Sequence, residues 1–111
     1  TVVRQDYLTL FQQLKENGTE AVIFCGVDEV AEIAYLSLQE AGLELAWVVD
    51  TNIDRNDFMG RPIIELSKLN ADLKDPLVLT SLKRSSALRE SLLSLGVDSA
   101  RIFSLSQGNS V

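Results

Sequence analysis

The chain has 111 residues, a net charge of −6, one cysteine and no histidine. This length predicts one domain with a single hydrophobic core. The acidic balance argues against direct nucleic-acid contact, because such affinity depends on basic residues that neutralise phosphates. One cysteine excludes an intrachain disulfide, and the lack of an apolar run of roughly 18 residues argues against a membrane span. We therefore expect a cytoplasmic domain without membrane contact. The start at Thr1 rather than methionine favours a fragment of a longer protein over removal of initiator or tag residues.

The first half of the chain predicts a helix followed by a βαβ unit. A helix is expected over residues 5–17, because its apolar residues recur at helical spacing and Gly18 follows. The apolar stripe of this helix consists of Tyr7, Leu10, Phe11 and Leu14. Apolar strands are predicted at 21–25 and 45–50, with a helix at about 28–41 between them. This order requires a parallel strand pair joined by a right-handed crossover.

The second half predicts further strands separated by polar segments. A loop at 51–60 precedes a short edge strand that contains Pro62, since proline is tolerated where its missing N–H is not needed. A helix is expected at 84–95, with Leu88, Leu92 and Leu95 on its inner face. The remaining predicted elements are the edge strand at 61–64, a short helix or turn at 65–73, and strands at 76–80 and 101–105.

These patterns together predict an α/β fold, specifically a three-layer, Rossmann-like, mainly parallel sheet in a single domain. The expected strand order is 3-2-1-4-5 or a shortened version of it. Residues 1–18 would form an N-terminal helix leading into the domain, residues 19–105 the Rossmann-like domain, and residues 106–111 a disordered tail. Ligands in such sheets bind at the carboxyl ends of the strands, which places the candidate site there.

The segment from Gly26 to Ala31 departs at one position from the dinucleotide-binding fingerprint G-x-G-x-x-G/A. Asp28 stands where the second glycine would let the backbone approach a pyrophosphate. We expect its carboxylate to cap the following helix, which is worth about 1 kcal/mol, and to repel a phosphate. Two interpretations stay open: a weak phosphate loop, or a plain junction between strand and helix.

Polar residues at the ends of two other strands complete the candidate site. Asp50 ends the second strand, where an acid can accept hydrogen bonds from a ribose; the alternative is a polar residue that stabilises the following turn. Lys83 and Arg84 could approach a ligand phosphate, although a solvated helix start is the simpler interpretation. The predicted cofactor-binding residues are Gly26, Val27, Asp28, Asp50, Thr80 and Ser81. The cofactor is undetermined, with NAD or a nucleotide-sugar as candidates.

Several chemistries lack the residues that they need. Without histidine, the chain cannot build a Ser-His-Asp or Cys-His site or a structural zinc site, so we predict no catalytic or metal-ligating residue. Cys25 is expected to be a buried structural residue, and Trp47 to serve packing in a core strand. Asp54, Asp57 and Asn52 could bind a divalent cation weakly, but a solvated loop is favoured.

Three segments resemble a known group of domains: residues 23–34, residues 47–50, and the run from Gly60 to Ile63. They are similar to Rossmann-like domains of bacterial polysaccharide-biosynthesis proteins, such as those of sugar-nucleotide dehydratases and acetyltransferases. Similar domains follow winged-helix DNA-binding domains in bacterial transcriptional regulators. The resemblance covers roughly residues 20–105 and implies nucleotide binding at Gly26, Asp50 and Ser81. That group usually has Gly-x-Gly-Glu in the loop, of which this chain keeps Gly26 and Glu29.

The leading hypothesis is a non-catalytic ligand-sensing or regulatory domain, the C-terminal part of a bacterial transcriptional regulator, which binds a nucleotide or nucleotide-sugar weakly or not at all. One alternative is the nucleotide-binding domain of a sugar-nucleotide-modifying enzyme in polysaccharide biosynthesis. Another is a structural dimerisation module, in which the aromatic stripe of the first helix contacts a second copy in a homodimer.

Overall fold

The computed structural model describes residues 2–52, 54, 57–69 and 74–105. The predicted tail at 106–111 and part of the segment at 65–73 lie outside the described residues. Within these described residues, short 3-10 helices at Leu66–Lys68 and Ser99–Arg101 accompany three α-helices and six strands. These are α1 (Val2–Glu16), β1 (Ala21–Cys25), α2 (Ala31–Ala41), β2 (Glu44–Asp50), β3 (Asp57–Phe58), β4 (Arg61–Glu65), β5 (Leu77–Leu79), α3 (Ser85–Ser94) and β6 (Ile102–Phe103).

The strands form one mixed sheet in the order β3-β4-β2-β1-β5-β6. All neighbouring pairs are parallel except β3 and β4. Between β4 and β6 this is the predicted 3-2-1-4-5 order, and the α/β class with a mainly parallel sheet in one domain is confirmed. The strand β1 lies in the middle, between β2 and β5, so the carboxyl ends of these three strands are neighbours at one edge of the sheet.

The segment predicted as a loop at 51–60 contains a strand, which corrects that prediction. In this hairpin Asp57 pairs with Pro62 and Phe58 pairs with Arg61. The two turn residues, Met59 and Gly60, both have positive φ angles, 51° and 81°, as a two-residue hairpin turn of type I′ requires. Phe58 is buried against Phe24 and Tyr35, so core packing holds a turn that a methionine does not favour by itself.

Apolar side chains form two clusters, and successive residues of the central strands alternate between them. The first cluster joins α1 and α2 to Phe24 and Val48, whereas the second joins α3 to Cys25 and Val49. Tyr7 and Phe11 of the aromatic stripe on α1 are fully buried in the first cluster. These two rings therefore stabilise this domain itself, while dimerisation through the first helix stays a prediction.

Trp47 is the second correction, because 45% of it is exposed although core packing was predicted. Its partner in the register of β1 and β2 is Ile23, which belongs to the second cluster. Among the described residues, α3 is the α-helix that packs in that cluster, and it packs against β5. Trp47 lies two strands from β5, so that helix leaves it accessible. No described helix is long and apolar enough to cross a membrane.

Candidate functional site

The six predicted site residues come together at the carboxyl ends of β1, β2 and β5. Gly26, Val27 and Asp28 follow β1, Asp50 ends β2, and Thr80 and Ser81 follow β5. Direct hydrogen bonds connect these segments. The Val27 N–H donates to Asp50 Oδ2 at 2.9 Å, the Thr80 hydroxyl donates to the Gly26 carbonyl, and the Ser81 hydroxyl donates to the Asp28 carboxylate.

Gly26 makes the tight turn out of β1, as the fingerprint predicts. Its φ angle is +101°, a backbone conformation that favours glycine. A Cβ atom at this position would lie 2.7 Å from Leu88 Cδ1 and 3.1 Å from Ser81 Cβ. The residue is therefore needed for two reasons, the turn itself and the close approach of α3 to the end of β1.

Asp28 does not cap α2, which corrects the prediction from the sequence. The helix begins at Ala31, later than expected, and its N-cap is Val30, with no side-chain hydrogen bond to the helix. The carboxylate of Asp28 instead accepts hydrogen bonds from Arg84 Nε at 3.0 Å and Arg84 Nη2 at 2.9 Å. A bidentate bond to a guanidinium is charge-assisted and stronger than a bond to a neutral backbone N–H, which explains the choice.

The Asp50 carboxylate, at the end of β2, is buried and accepts hydrogen bonds at both oxygens. Its side chain is 2% exposed. It accepts from the backbone N–H of Val27 and from that of Asn52, the latter at 3.1 Å. It also accepts from Arg84 Nη1 at 2.8 Å and from Nη2 at 3.0 Å. A carboxylate has about four acceptor positions, so these four bonds leave Asp50 no capacity for a ribose hydroxyl.

Arg84 belongs to this site although it was not among the predicted cofactor-binding residues, since a solvated helix start was favoured for it. It precedes α3, and its guanidinium lies between Asp28 and Asp50. We call these three residues the Arg84 bridge. Four of the five guanidinium N–H groups are used in it. One signal could have identified it: two carboxylates expected at buried strand ends require a cation nearby.

The bridge determines the charge state of both carboxyl groups. Hydrogen bonding to Arg84 lowers the pKa of Asp28 below its ordinary value of 3.8. Burial raises the pKa of Asp50, but its hydrogen bonds from Arg84, Val27 and Asn52 outweigh burial and lower it overall. The pKa of Arg84 is raised by the same contacts. The bridge thus carries two negative charges and one positive charge at neutral pH.

This chemistry does not suit nucleophilic or general base catalysis. Ser81 donates its hydroxyl proton to Asp28, but only 1% of the residue is exposed, so a substrate cannot reach it. A carboxylate whose pKa is lowered is a weak base, and a catalytic base works best with a pKa near the working pH. Burial raises the pKa of Cys25 to about 12, which leaves its thiol protonated and unreactive.

Two of the loop residues considered for a cation accept hydrogen bonds from nearby backbone N–H groups. Asn52 Oδ1 accepts from the Asp54 N–H at 3.0 Å, and Asp57 Oδ2 accepts from the Gly60 N–H at 3.2 Å. In the part of the chain that the structure describes, no group of three histidine, cysteine or acidic residues is arranged to hold a metal ion.

Comparisons with protein-family models, with curated proteins and with solved structures found no match. The resemblance to Rossmann-like domains of polysaccharide-biosynthesis proteins and transcriptional regulators therefore stays a prediction.

Proposed function

We propose that this chain is a non-catalytic regulatory domain of three-layer, Rossmann-like architecture, and that the Arg84 bridge holds its nucleotide site closed. The supporting observation is that Arg84 lies between Asp28 and Asp50 at the carboxyl ends of the central strands. Ligands of open α/β sheets bind at that place. In this state a nucleotide or nucleotide-sugar would bind only weakly, because its ribose and phosphate partners are already bound to each other.

The proposal that the domain is non-catalytic has its own support. The bridge holds Asp28 as a weak base, Ser81 is buried, and the absence of histidine removes the usual proton carrier at neutral pH. The parent protein proposed is a bacterial transcriptional regulator, and the resemblance of residues 20–105 is the basis for that part. With a net charge of −6, this domain would act on DNA binding through another part of such a protein.

One observation favours a second candidate, a purely structural module. All four acceptor positions of Asp50 are filled from within the chain, as in a site that only ties strands to a helix. In that case the bridge would connect β2 to the start of α3 and to the loop after β1, and no ligand would compete for it.

Amide chemical shifts of the wild-type chain, measured with increasing NAD, a nucleotide-sugar or coenzyme A, distinguish the two candidates. A closed ligand site predicts millimolar affinity, with shifts concentrated at Val27, Asn52 and Arg84 and smaller changes at Phe103 in the edge strand β6. Micromolar affinity would contradict a closed site. Shifts that are absent at every ligand concentration, or that lie elsewhere, would remove the ligand-binding part and leave the structural module.

A further inference from the structure

We propose that Arg84 is the anion-binding residue of this domain and that Asp28 is a displaceable internal competitor for it. A ligand phosphate and the Asp28 carboxylate would exchange at the same edge of the guanidinium. This inference rests on the proposed function for the location of the site. It adds that the recognised group of the ligand is a phosphate and that Asp28 controls access to Arg84.

The two edges of the Arg84 guanidinium are bound by different carboxylates. The Nη1 and Nη2 edge faces Asp50, with bonds of 2.8 and 3.0 Å. The Nε and Nη2 edge faces Asp28, with bonds of 3.0 and 2.9 Å. Either edge of an arginine can bind two oxygens of a phosphate in the same way. A phosphate that takes one edge therefore needs to displace only one carboxylate.

The carboxylate of Asp28 is the one that can leave. Asp50 is buried and is also fixed by two backbone N–H groups, so it anchors the guanidinium at the sheet. The side chain of Asp28 is 22% exposed, and its remaining partner is the Ser81 hydroxyl. Arg84 itself is 30% exposed, so solvent reaches the outer side of the bridge. A ligand can approach from that side while Asp50 holds the arginine in place.

A displaced Asp28 carboxylate would find a second position nearby. The N-terminus of α2, three residues further along the chain, has no side-chain cap. The Ala31 N–H already donates to the Asp28 carbonyl at 3.0 Å, but the following N–H groups of the first turn and the helix dipole attract a carboxylate there. Asp28 can therefore move from Arg84 to the helix that follows it, which would replace part of the interaction that it gives up.

The competing ligand must be a better partner for arginine than a carboxylate is. A terminal phosphate or a diphosphate has more negative charge and more acceptor oxygens than Asp28, whereas a simple carboxylic acid offers the same group without the advantage of being tethered. Glu32 lies in the first turn of α2 and takes no part in the Arg84 bridge. We therefore infer a phosphate ester or diphosphate as the ligand, bound through Arg84.

Isothermal titration of the full chain with inorganic pyrophosphate tests this exchange. Asp28→Asn removes the competing charge and should lower Kd by about tenfold or more, since hydrogen bonds to charged groups have effects of that size. Glu32→Gln is the matched control, because it removes the same charge beside the site but outside the bridge, and its Kd should change by less than about threefold. If the two variants gain equally in affinity for pyrophosphate, or if Asp28→Asn gains none, the proposed exchange between Asp28 and phosphate is wrong.

The role of Arg84 is checked separately. Adding Arg84→Lys to Asp28→Asn should abolish the gain, because lysine cannot bind two oxygens with a planar fork. The Nε–H resonance of Arg84 in Asp28→Asn should also shift as pyrophosphate saturates; an unchanged resonance at saturation would overturn the proposal without any further variant. Micromolar pyrophosphate binding by the wild type, with that resonance shifted, would instead contradict only the closed site of the proposed function.

Discussion

Arg84 and Asp50 are joined by two hydrogen bonds, from Nη1 to Oδ1 at 2.8 Å and from Nη2 to Oδ2 at 3.0 Å, although 34 residues separate them in the chain. The contact connects the end of β2 to the start of α3. Because Asp50 also accepts the Val27 N–H, the same carboxylate holds the loop after β1. One buried acid thus fixes three segments that would otherwise leave their ends free at the edge of the sheet.

Removal of the arginine should destabilise the domain. Arg84→Gln leaves Asp28 and Asp50 near each other without their cation. We expect a loss of about 2–3 kcal/mol in the free energy of unfolding, somewhat below the usual effect for a fully buried pair because Arg84 is partly exposed. Arg4→Gln is the control, since its ion pair with Glu40 has both side chains at least half exposed and should contribute less than about 1 kcal/mol. Urea unfolding of both variants gives the comparison, and equal losses would contradict a structural role for the bridge.

The bridge also predicts how stability depends on pH. Both carboxyl groups have a pKa in the folded state that lies below the ordinary value of 3.8. At low pH the unfolded chain therefore binds more protons at these two groups than the folded chain does. The stability that the two carboxylates contribute is fully present above their pKa in the unfolded chain, and it is lost as the pH falls through their pKa in the folded protein. Urea unfolding at a series of pH values should show the decline beginning below about pH 5.

The matching variant separates the bridge from the other acidic groups. In Arg84→Gln the two pKa values lose the arginine contribution, so the acid-side slope of the stability curve should be shallower than in the wild type. If the slope is unchanged, the acid sensitivity of the protein comes from carboxyl groups elsewhere.

The sequence could predict the sheet but not the side-chain contacts of the Arg84 bridge at the carboxyl ends of its strands. Continuous apolar runs, the glycine at 26 and the alternation of strands with helices are local signals, and they gave the strand order from β4 to β6. The Arg84 bridge depends on side chains 34 and 56 residues apart, which only the assembled fold brings together. The hairpin at Met59 was not predicted for a similar reason, because the burial of Phe58 outweighs the low preference of methionine for a turn with positive φ.

Gly26 should tolerate alanine less well than another glycine of similar backbone conformation. Gly26→Ala introduces a Cβ 2.7 Å from Leu88 and 3.1 Å from Ser81, in addition to the backbone strain at φ +101°. We expect a loss of about 2–3 kcal/mol, combining strain with overpacking. Gly18→Ala is the control, because φ is +98° there and nothing lies within 4 Å of the added atom; it should lose only about 1 kcal/mol. If chemical denaturation shows a similar loss in the free energy of unfolding for both variants, α3 shifts away from the added Cβ at little cost.

The hydroxyl of Tyr7 gives the last prediction. It donates to the Leu79 carbonyl at 3.1 Å, in a fully buried position that ties α1 to the end of β5. Burial raises the pKa of Tyr7, so the hydroxyl stays protonated and can donate throughout the neutral range. Tyr7→Phe keeps the ring in the core but leaves that carbonyl without this partner, and we expect a loss of about 1–2 kcal/mol.

Tyr35→Phe serves as the control for this change. Its hydroxyl accepts from Gln39 Nε2 at 3.3 Å at an exposed position, where water can replace the bond. The thermal midpoint of Tyr35→Phe should therefore stay close to that of the wild type, whereas Tyr7→Phe should lower it by several degrees, about 4–8 °C for each kcal/mol in a domain of this size. An unchanged midpoint in Tyr7→Phe would show that the bond to the end of β5 contributes nothing to the stability of the domain.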